Sequence, residues 1–249
     1  MGKKRIQQAG EGELTEPAPK FHYLDDALMA NTRPMTILVV GAGATGSAFC
    51  RHLARIQQIL EKQEVYMNIT VQDMDIVEDH NIGKQAFSPA MVGANKAQAL
   101  TMAINRYYGS QWDFKMEKYD GTGGAKDFLI GCVDNVATRR KMHVDMFKYY
   151  LDCGNANFYG QVVLGYKGAI KKQSPLPSII DLYPDMKKTV DTVSCSVFES
   201  IEKQDLFIND FTAAYAATLL FDLLYRKQID YHGYYFNLKS SSFTQIPIP

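Results

Sequence analysis

The run Thr36-Ile37-Leu38-Val39-Val40 is continuously apolar and β-branched, bounded by Pro34 and Gly41, the pattern of a strand buried on both faces. Directly after it, Phe49, Leu53, Ile56 and Leu60 recur at helical spacing and predict a helix over 45–62. The same reading predicts a strand at 68–72, a helix at 91–108, a strand at 127–133 and a helix at 136–150. A strand at 161–166, a helix at 211–227 and an alternating strand at 234–238 complete the chain. Strands alternating with helices define an α/β fold with right-handed crossovers. The sheet is expected to be mainly parallel and to continue into antiparallel strands beyond about residue 155.

Residues 1–20 are polar and broken by glycines and prolines, which predicts a flexible N-terminal tail. Apolar residues between His22 and Leu28 predict that this piece docks on the body. The remainder, 21–249, reads as a single domain, in which 170–195 is a crossover-type connection carrying Pro175, Pro177 and Pro184. Loops of that length are more often functional than idle.

Composition narrows the function classes. Lys+Arg and Asp+Glu both total 27, so no global basic field points to nucleic acid or an anionic membrane. The apolar stretch 211–225 is too short to span a bilayer and contains Asp222. The basic start lacks the apolar run of a signal peptide, so the expected location is the cytoplasm. The four cysteines form no CxxC pair and no His-rich spacing, which argues against structural zinc. The paired tyrosines, such as Tyr107-Tyr108 and Tyr149-Tyr150, lack the basic interleaving of a single-strand nucleic-acid platform.

The local chemistry begins at Gly41-Ala42-Gly43-Ala44-Thr45-Gly46, a GxGxxG turn placed between the buried strand and its helix. Its glycines permit a tight turn and close backbone approach to phosphate, and the helix N-terminus offers N–H groups to an anion. A dinucleotide site expects an acid about 20 residues on. Here the first acid in that role is Asp73, considerably further along.

From Asp73 the chain reads Asp-Met-Asp-Ile-Val-Glu-Asp-His-Asn-Ile-Gly-Lys-Gln, followed by Val92-Gly93-Ala94-Asn95-Lys96-Ala97 and by Gly131-Cys132-Val133-Asp134-Asn135-Val136-Ala137-Thr138-Arg139. Together with the glycine turn, this strongly resembles the ThiF/MoeB/ubiquitin-activating superfamily, over roughly residues 36 to 225. A finer likeness is to the ThiF family proteins of the bacterial PRTRC system, through His22-Tyr23-Leu24-Asp25-Asp26-Ala27 and Gln204-Asp205-Leu206-Phe207-Ile208-Asn209.

The resemblance implies a Rossmann-like ATP-binding domain that adenylates the C-terminal carboxylate of a ubiquitin-like or sulfur-carrier protein, working as a homodimer. It implies that Gly41, Gly43, Ala44, Thr45 and Gly46 cradle ATP, that Asp73 holds the ribose and that Asp75 supports the loop. Asn81, Lys84, Gln85 and Lys96 would face the phosphates. Asp134 would hold Mg²⁺, a hard cation that takes carboxylate oxygens. Asn135 would cap the next helix and orient the loop. Lys84 departs from the family, which has an arginine there; lysine keeps the charge and loses the bidentate fork. The family often borrows another arginine from the partner subunit, and Arg5 and Arg33 are both candidates. Cys195, in Thr192-Val193-Ser194-Cys195-Ser196, stands where the superfamily carries a thioester cysteine and is equally open to a packing role. Cys50 and Cys132 read as inert core residues, and Cys153 as a strand-end residue near the site. Two alternatives remain, a non-catalytic ATP-binding scaffold for a ubiquitin-like partner and a nicotinamide- or flavin-dependent oxidoreductase.

Overall fold

The protein is described by a computed structural model for residues 20–122, 124–168, 175–186 and 205–249. Its main sheet has five parallel strands, β2 (Met35–Val40), β3 (Met67–Gln72), β4 (Asp113–Lys115), β5 (Lys126–Gly131) and β6 (Phe147–Ala156). They lie in the order β4-β3-β2-β5-β6. The sheet then continues antiparallel through β7 (Tyr159–Tyr166), β9 (Tyr231–Asn237) and β10 (Ser242–Pro247). A separate two-stranded pair joins β1 (His22–Tyr23) to β8 (Gln228–Ile229).

Burial on two faces explains why the strands read as unbroken apolar runs. Ile37 and Val39 of β2 belong to one core with α2 (Ala44–Glu61), α3 (Lys96–Tyr108) and α6 (Ile208–Arg226). Leu38 and Val40 belong to a second core with Met142 of α4 (Val136–Val144) and with Ile179 and Ile180 of α5 (Ile179–Leu182). On α2, Phe49, Leu53, Ile56 and Leu60 all face the sheet and are at most 6% exposed. Burial of each such side chain stabilises the helix–sheet contact by about 1.5–3 kcal/mol. The chain winds outward from β2 through β3 to β4, then returns to β5 on the other side of β2. That reversal places a crevice beyond the carboxyl ends of β2 and β5.

Two expected helices are shorter than their apolar spacing implied. The helix predicted from 91 starts at Lys96, because Gly93 is left-handed (φ +87) and Asn95 caps the first turn. The helix predicted over 136–150 ends at Val144, and 147–150 belongs to β6. Asp145 adopts an extended conformation that breaks the helix, and Tyr149 and Tyr150 then point to opposite cores. The segment around His22 docks as expected, with Leu24 fully buried.

Candidate nucleotide site

The glycine turn lies at the carboxyl end of β2 and is shaped by two close approaches. Gly41 has φ +93, and a Cβ there would lie 2.4 Å from the Cys132 carbonyl oxygen; a Cβ on Gly46 would lie 1.9 Å from the Gly41 oxygen. Gly43 differs, since a Cβ there would meet nothing within 4 Å. It is the N-cap of α2 and no side chain caps it. Open space in front of an uncapped helix N-terminus is what a phosphate needs. Ala44 and Thr45 form the first turn behind it.

At the end of β3, Asp73 clamps this turn. One carboxylate oxygen accepts the Ala42 amide at 2.6 Å and the other accepts the Asp75 amide at 2.8 Å. Burial raises the Asp73 carboxyl, and the two backbone hydrogen bonds oppose that shift. Asn95 caps α3 through the Gln98 amide and donates to the carbonyls of Asp73 and Asp75. Lys96, 9% exposed, then turns back to place Nζ 3.3 Å from Asp75 Oδ2. Asp75 therefore pairs with the lysine as well as shaping the turn.

The short helical turn Asp79–Asn81 carries the next group. Asn81 is buried and its Oδ1 accepts the Glu78 amide at 2.9 Å. Lys84 is half-buried, and its backbone amide donates to the Asn81 carbonyl. Gln85 has a buried Oε1 that accepts no hydrogen bond among the described residues, an acceptor of the kind a ligand donor satisfies.

Asp134 is exposed beyond the end of β5, and Asn135 caps α4 by accepting the Thr138 amide at 2.8 Å. Among the described residues no group of three or more His, Cys, Asp or Glu side chains could hold a metal ion. A magnesium ion bridging phosphates needs only one or two carboxylates and keeps its waters, so Asp134 fits that mode and not an all-protein cage.

Three features were not evident from sequence motifs alone. Arg139 reaches from α4 to the Val133 carbonyl at 3.0 Å and to Asp152 of β6 at 3.1 Å. Thr45 is joined to Asn155 at the end of β6 and to Asn209 in the first turn of α6. Cys153 lies within β6 against Cys132; that hydrogen bond and burial push its thiol well up, and burial does the same to Cys50. Of the two arginine candidates, Arg33 is committed elsewhere: its Nη1 and Nη2 donate to the Asp127 carboxylate, at 2.6 and 2.8 Å, at the opposite end of the sheet from the glycine turn. Arg5 and Cys195 lie outside the described residues.

The fold is a Rossmann-type α/β fold, and these residues gather at its switch point between β2 and β5, where such folds place their ligand crevice. The chain belongs to the ThiF family, whose model matches residues 19–248. No curated protein matches it. Among solved structures it is similar to Escherichia coli MccB with MccA-N7isoASN, at 15% identity and TM-score 0.63, covering 89% of this chain and 66% of that one. MccB with ATP gives 14% identity and TM-score 0.61 with the same coverage. Selenomethionine PaaA gives 14% and 0.61, covering 90% of this chain and 67% of that one. The chain thus spans just under two thirds of the MccB length, and these likenesses carry the fold. No helix among the described residues is long and apolar enough to cross a membrane.

Proposed function

We propose that this protein binds ATP with Mg²⁺ and adenylates the C-terminal carboxylate of a ubiquitin-like or sulfur-carrier protein. The observation that carries the reading is the gathering of the glycine turn, Asp73, Lys96 and Asp134 beyond the ends of β2, β3 and β5 in a ThiF family chain. Solved structures of the same fold include MccB with ATP and MccB with selenomethionine MccA, which supports a nucleotide and a methionine-containing partner as the pair of substrates.

The attacking carboxylate is already ionised near neutral pH, so the reaction needs placement and charge neutralisation more than acid–base help. A carboxylate oxygen forms a bond to the α-phosphorus, the bond to the bridging oxygen breaks, and pyrophosphate leaves with the electron pair. The α2 N-terminus and Lys96 would stabilise the phosphates, with Lys84 and Gln85 beside them and Asn81 shaping the loop. Asp73 would hold the ribose as well as the turn. Asp134 would hold Mg²⁺, which would neutralise charge on the leaving group. Cys195 is proposed to attack the acyl-adenylate through its thiolate, forming the thioester as the mixed-anhydride C–O bond breaks and AMP leaves with that electron pair. A cytoplasmic homodimer of the PRTRC-system type completes the reading, with Arg5 left as the candidate for the arginine the family borrows from a partner subunit.

The test is carrier-dependent exchange of labelled pyrophosphate into ATP. Exchange that disappears in Asp134→Ala and Lys96→Ala, and survives in Cys195→Ser, supports adenylation and isolates the thioester step. The lysine at 84 favours one alternative, a scaffold that binds ATP and carrier without releasing pyrophosphate. Binding of both without exchange would select it. The hydride-transfer alternative explains none of the residues after Asp73.

A further inference from the structure

Thr45, the second residue of α2, donates its hydroxyl to Asn209 Oδ1 at 2.8 Å. Asn155 Nδ2 donates to Thr45 Oγ1 at 2.9 Å and to Asn209 Oδ1 at 3.0 Å. Thr45 is 8% exposed, so this link is part of the wall that fixes the first turn of α2. Both bonds to the Asn209 carboxamide end on its oxygen, and its Nδ2 takes no partner among the described residues.

That arrangement raises the question of why position 209 is asparagine. An aspartate of the same shape could accept both bonds and would strengthen them by its charge. It would also sit in the first turn of α6, where the helix dipole favours an acid. The chain uses an acid at the very next position, where Asp210 lies 3.6 Å from Arg51 of α2. Folding alone therefore favours aspartate at 209 as well. The position differs in facing the N-terminal turn of α2, the end at which the glycine loop leaves open space. A carboxylate there would occupy the same positive end of the dipole as an incoming phosphate and repel it.

We propose that Asn209 is a specificity-determining residue of the polyphosphate site, a neutral anchor that fixes Thr45 without placing negative charge beside the bound anion and that keeps Nδ2 as a spare donor. The inference rests on the nucleotide reading of the glycine loop and goes beyond it by assigning a role to α6. Asn155 serves the same end as a positioning residue, because its amide donates to Thr45 and Asn209 together.

The experiment is calorimetric titration of the full chain with Mg·ATP, pyrophosphate and adenosine, at low and high salt, alongside melting temperatures. Asn209→Asp is compared with wild type and with Asp210→Asn, which alters charge one residue away. We expect Asn209→Asp to melt at or above the wild-type temperature and to bind adenosine within about twofold of wild type. It should bind Mg·ATP and pyrophosphate at least about tenfold more weakly at low salt, a loss that salt reduces, as for any charge repulsion. Asp210→Asn should bind all three ligands as wild type does. Unchanged affinity of Asn209→Asp for Mg·ATP and pyrophosphate would overturn the proposal. So would an equal loss of adenosine, which marks a general structural defect, and so would an equal effect at 210. Asn209→Ser, which keeps neutrality at a smaller size, should retain more Mg·ATP affinity than Asn209→Asp; the reverse order would also overturn it. Wild-type protein that binds pyrophosphate but neither adenosine nor Mg·ATP would defeat the adenylation reading and leave the role of Asn209 standing if the aspartate still weakens pyrophosphate. Wild-type protein that binds none of the three would overturn both.

Discussion

The guanidinium of Arg139 lies 3.1 Å from the carboxylate of Asp152, with the arginine 9% exposed and the aspartate fully buried. Burial pushes the Asp152 carboxyl up, while Arg139 and the hydroxyl of Tyr150, which donates at 2.9 Å, oppose that shift. The same guanidinium holds the carbonyl of Val133, one residue before Asp134, and Gly154 leaves it room, since a Cβ there would lie 2.8 Å from Nη2. Removing one partner of a buried pair strands the other charge, so Asp152→Asn should lose about 3–5 kcal/mol of stability in urea unfolding. Replacing both, as Arg139→Met with Asp152→Leu, should recover most of it, because apolar substitutes escape the desolvation cost. The double variant should still bind Mg·ATP more weakly, having lost the donor to Val133. Wild-type affinity in that variant would reduce the pair to a packing role.

The glycines of the turn divide into two kinds, and alanine separates them. At Gly46 a Cβ would meet the Gly41 backbone, which cannot move aside as a flexible side chain would. Gly46→Ala should cost at least about 3 kcal/mol or fail to fold. At Gly43 the added methyl enters open space, and the cost to folding should stay near 1 kcal/mol, the usual difference at a helix N-cap. Gly43→Ala should nevertheless lose the thermal protection given by Mg·ATP, which for wild type at about 100 times Kd amounts to about 2.7 kcal/mol. Full protection in Gly43→Ala would move the phosphates away from this turn.

Much of this fold was legible because buried strands and amphipathic helices write their periods directly into the chain. The carboxyl ends of β2, β3 and β5 carry Gly41, Asp73 and Asp134, so the predicted strand ends already grouped the site. Boundaries set by single conformations were less visible. Neither the left-handed Gly93 nor the extended Asp145 interrupts the apolar spacing that predicts helix on either side. The strands β1, β4, β8 and β10 were missed because they are short or largely exposed, and β6 was missed because its first residues were read as the end of the preceding helix. The links from Thr45 to Asn209, across 164 positions, and from Arg139 to Asp152 depend on which strands become neighbours. No local pattern contains that information.

Lys84 invites a gain-of-function test. The family resemblance implies an arginine at this position, whose planar fork could make two parallel bonds to phosphate, while an ammonium acts as a point charge. Lys84→Arg should raise the rate of pyrophosphate exchange per unit of Mg·ATP by at least about tenfold, the effect of roughly one added charge-assisted bond. The thermal stability should hardly change, since Lys84 is only half-buried and enters no ion pair among the described residues. A drop in exchange would show that the site has adapted to lysine.

The N-terminal segment gives the fold a dependence on acid that is independent of the nucleotide site. His22 is 1% exposed, with Nε2 3.1 Å from the Tyr149 hydroxyl and Nδ1 buried without a partner among the described residues. Burial and the neighbouring His232 lower its pKa to about 4, with Asp25 opposing them. Asp25 is meanwhile held by Lys148 at 2.5 Å and by the Tyr166 hydroxyl at 2.8 Å, so it is already engaged. A histidine whose folded pKa lies below its unfolded value of 6.5 binds fewer protons when folded. Its contribution is therefore fully present above pH 6.5 and is lost as the pH falls towards 4, by about 3 kcal/mol in all. His232 is shifted in the same direction by burial and steepens the loss. Urea midpoints measured between pH 7.5 and about 4 should fall accordingly. His22→Gln, which does not titrate, should be less stable than wild type at neutral pH yet show a shallower slope below pH 6.5. An identical slope in that variant would assign the acid sensitivity to other groups.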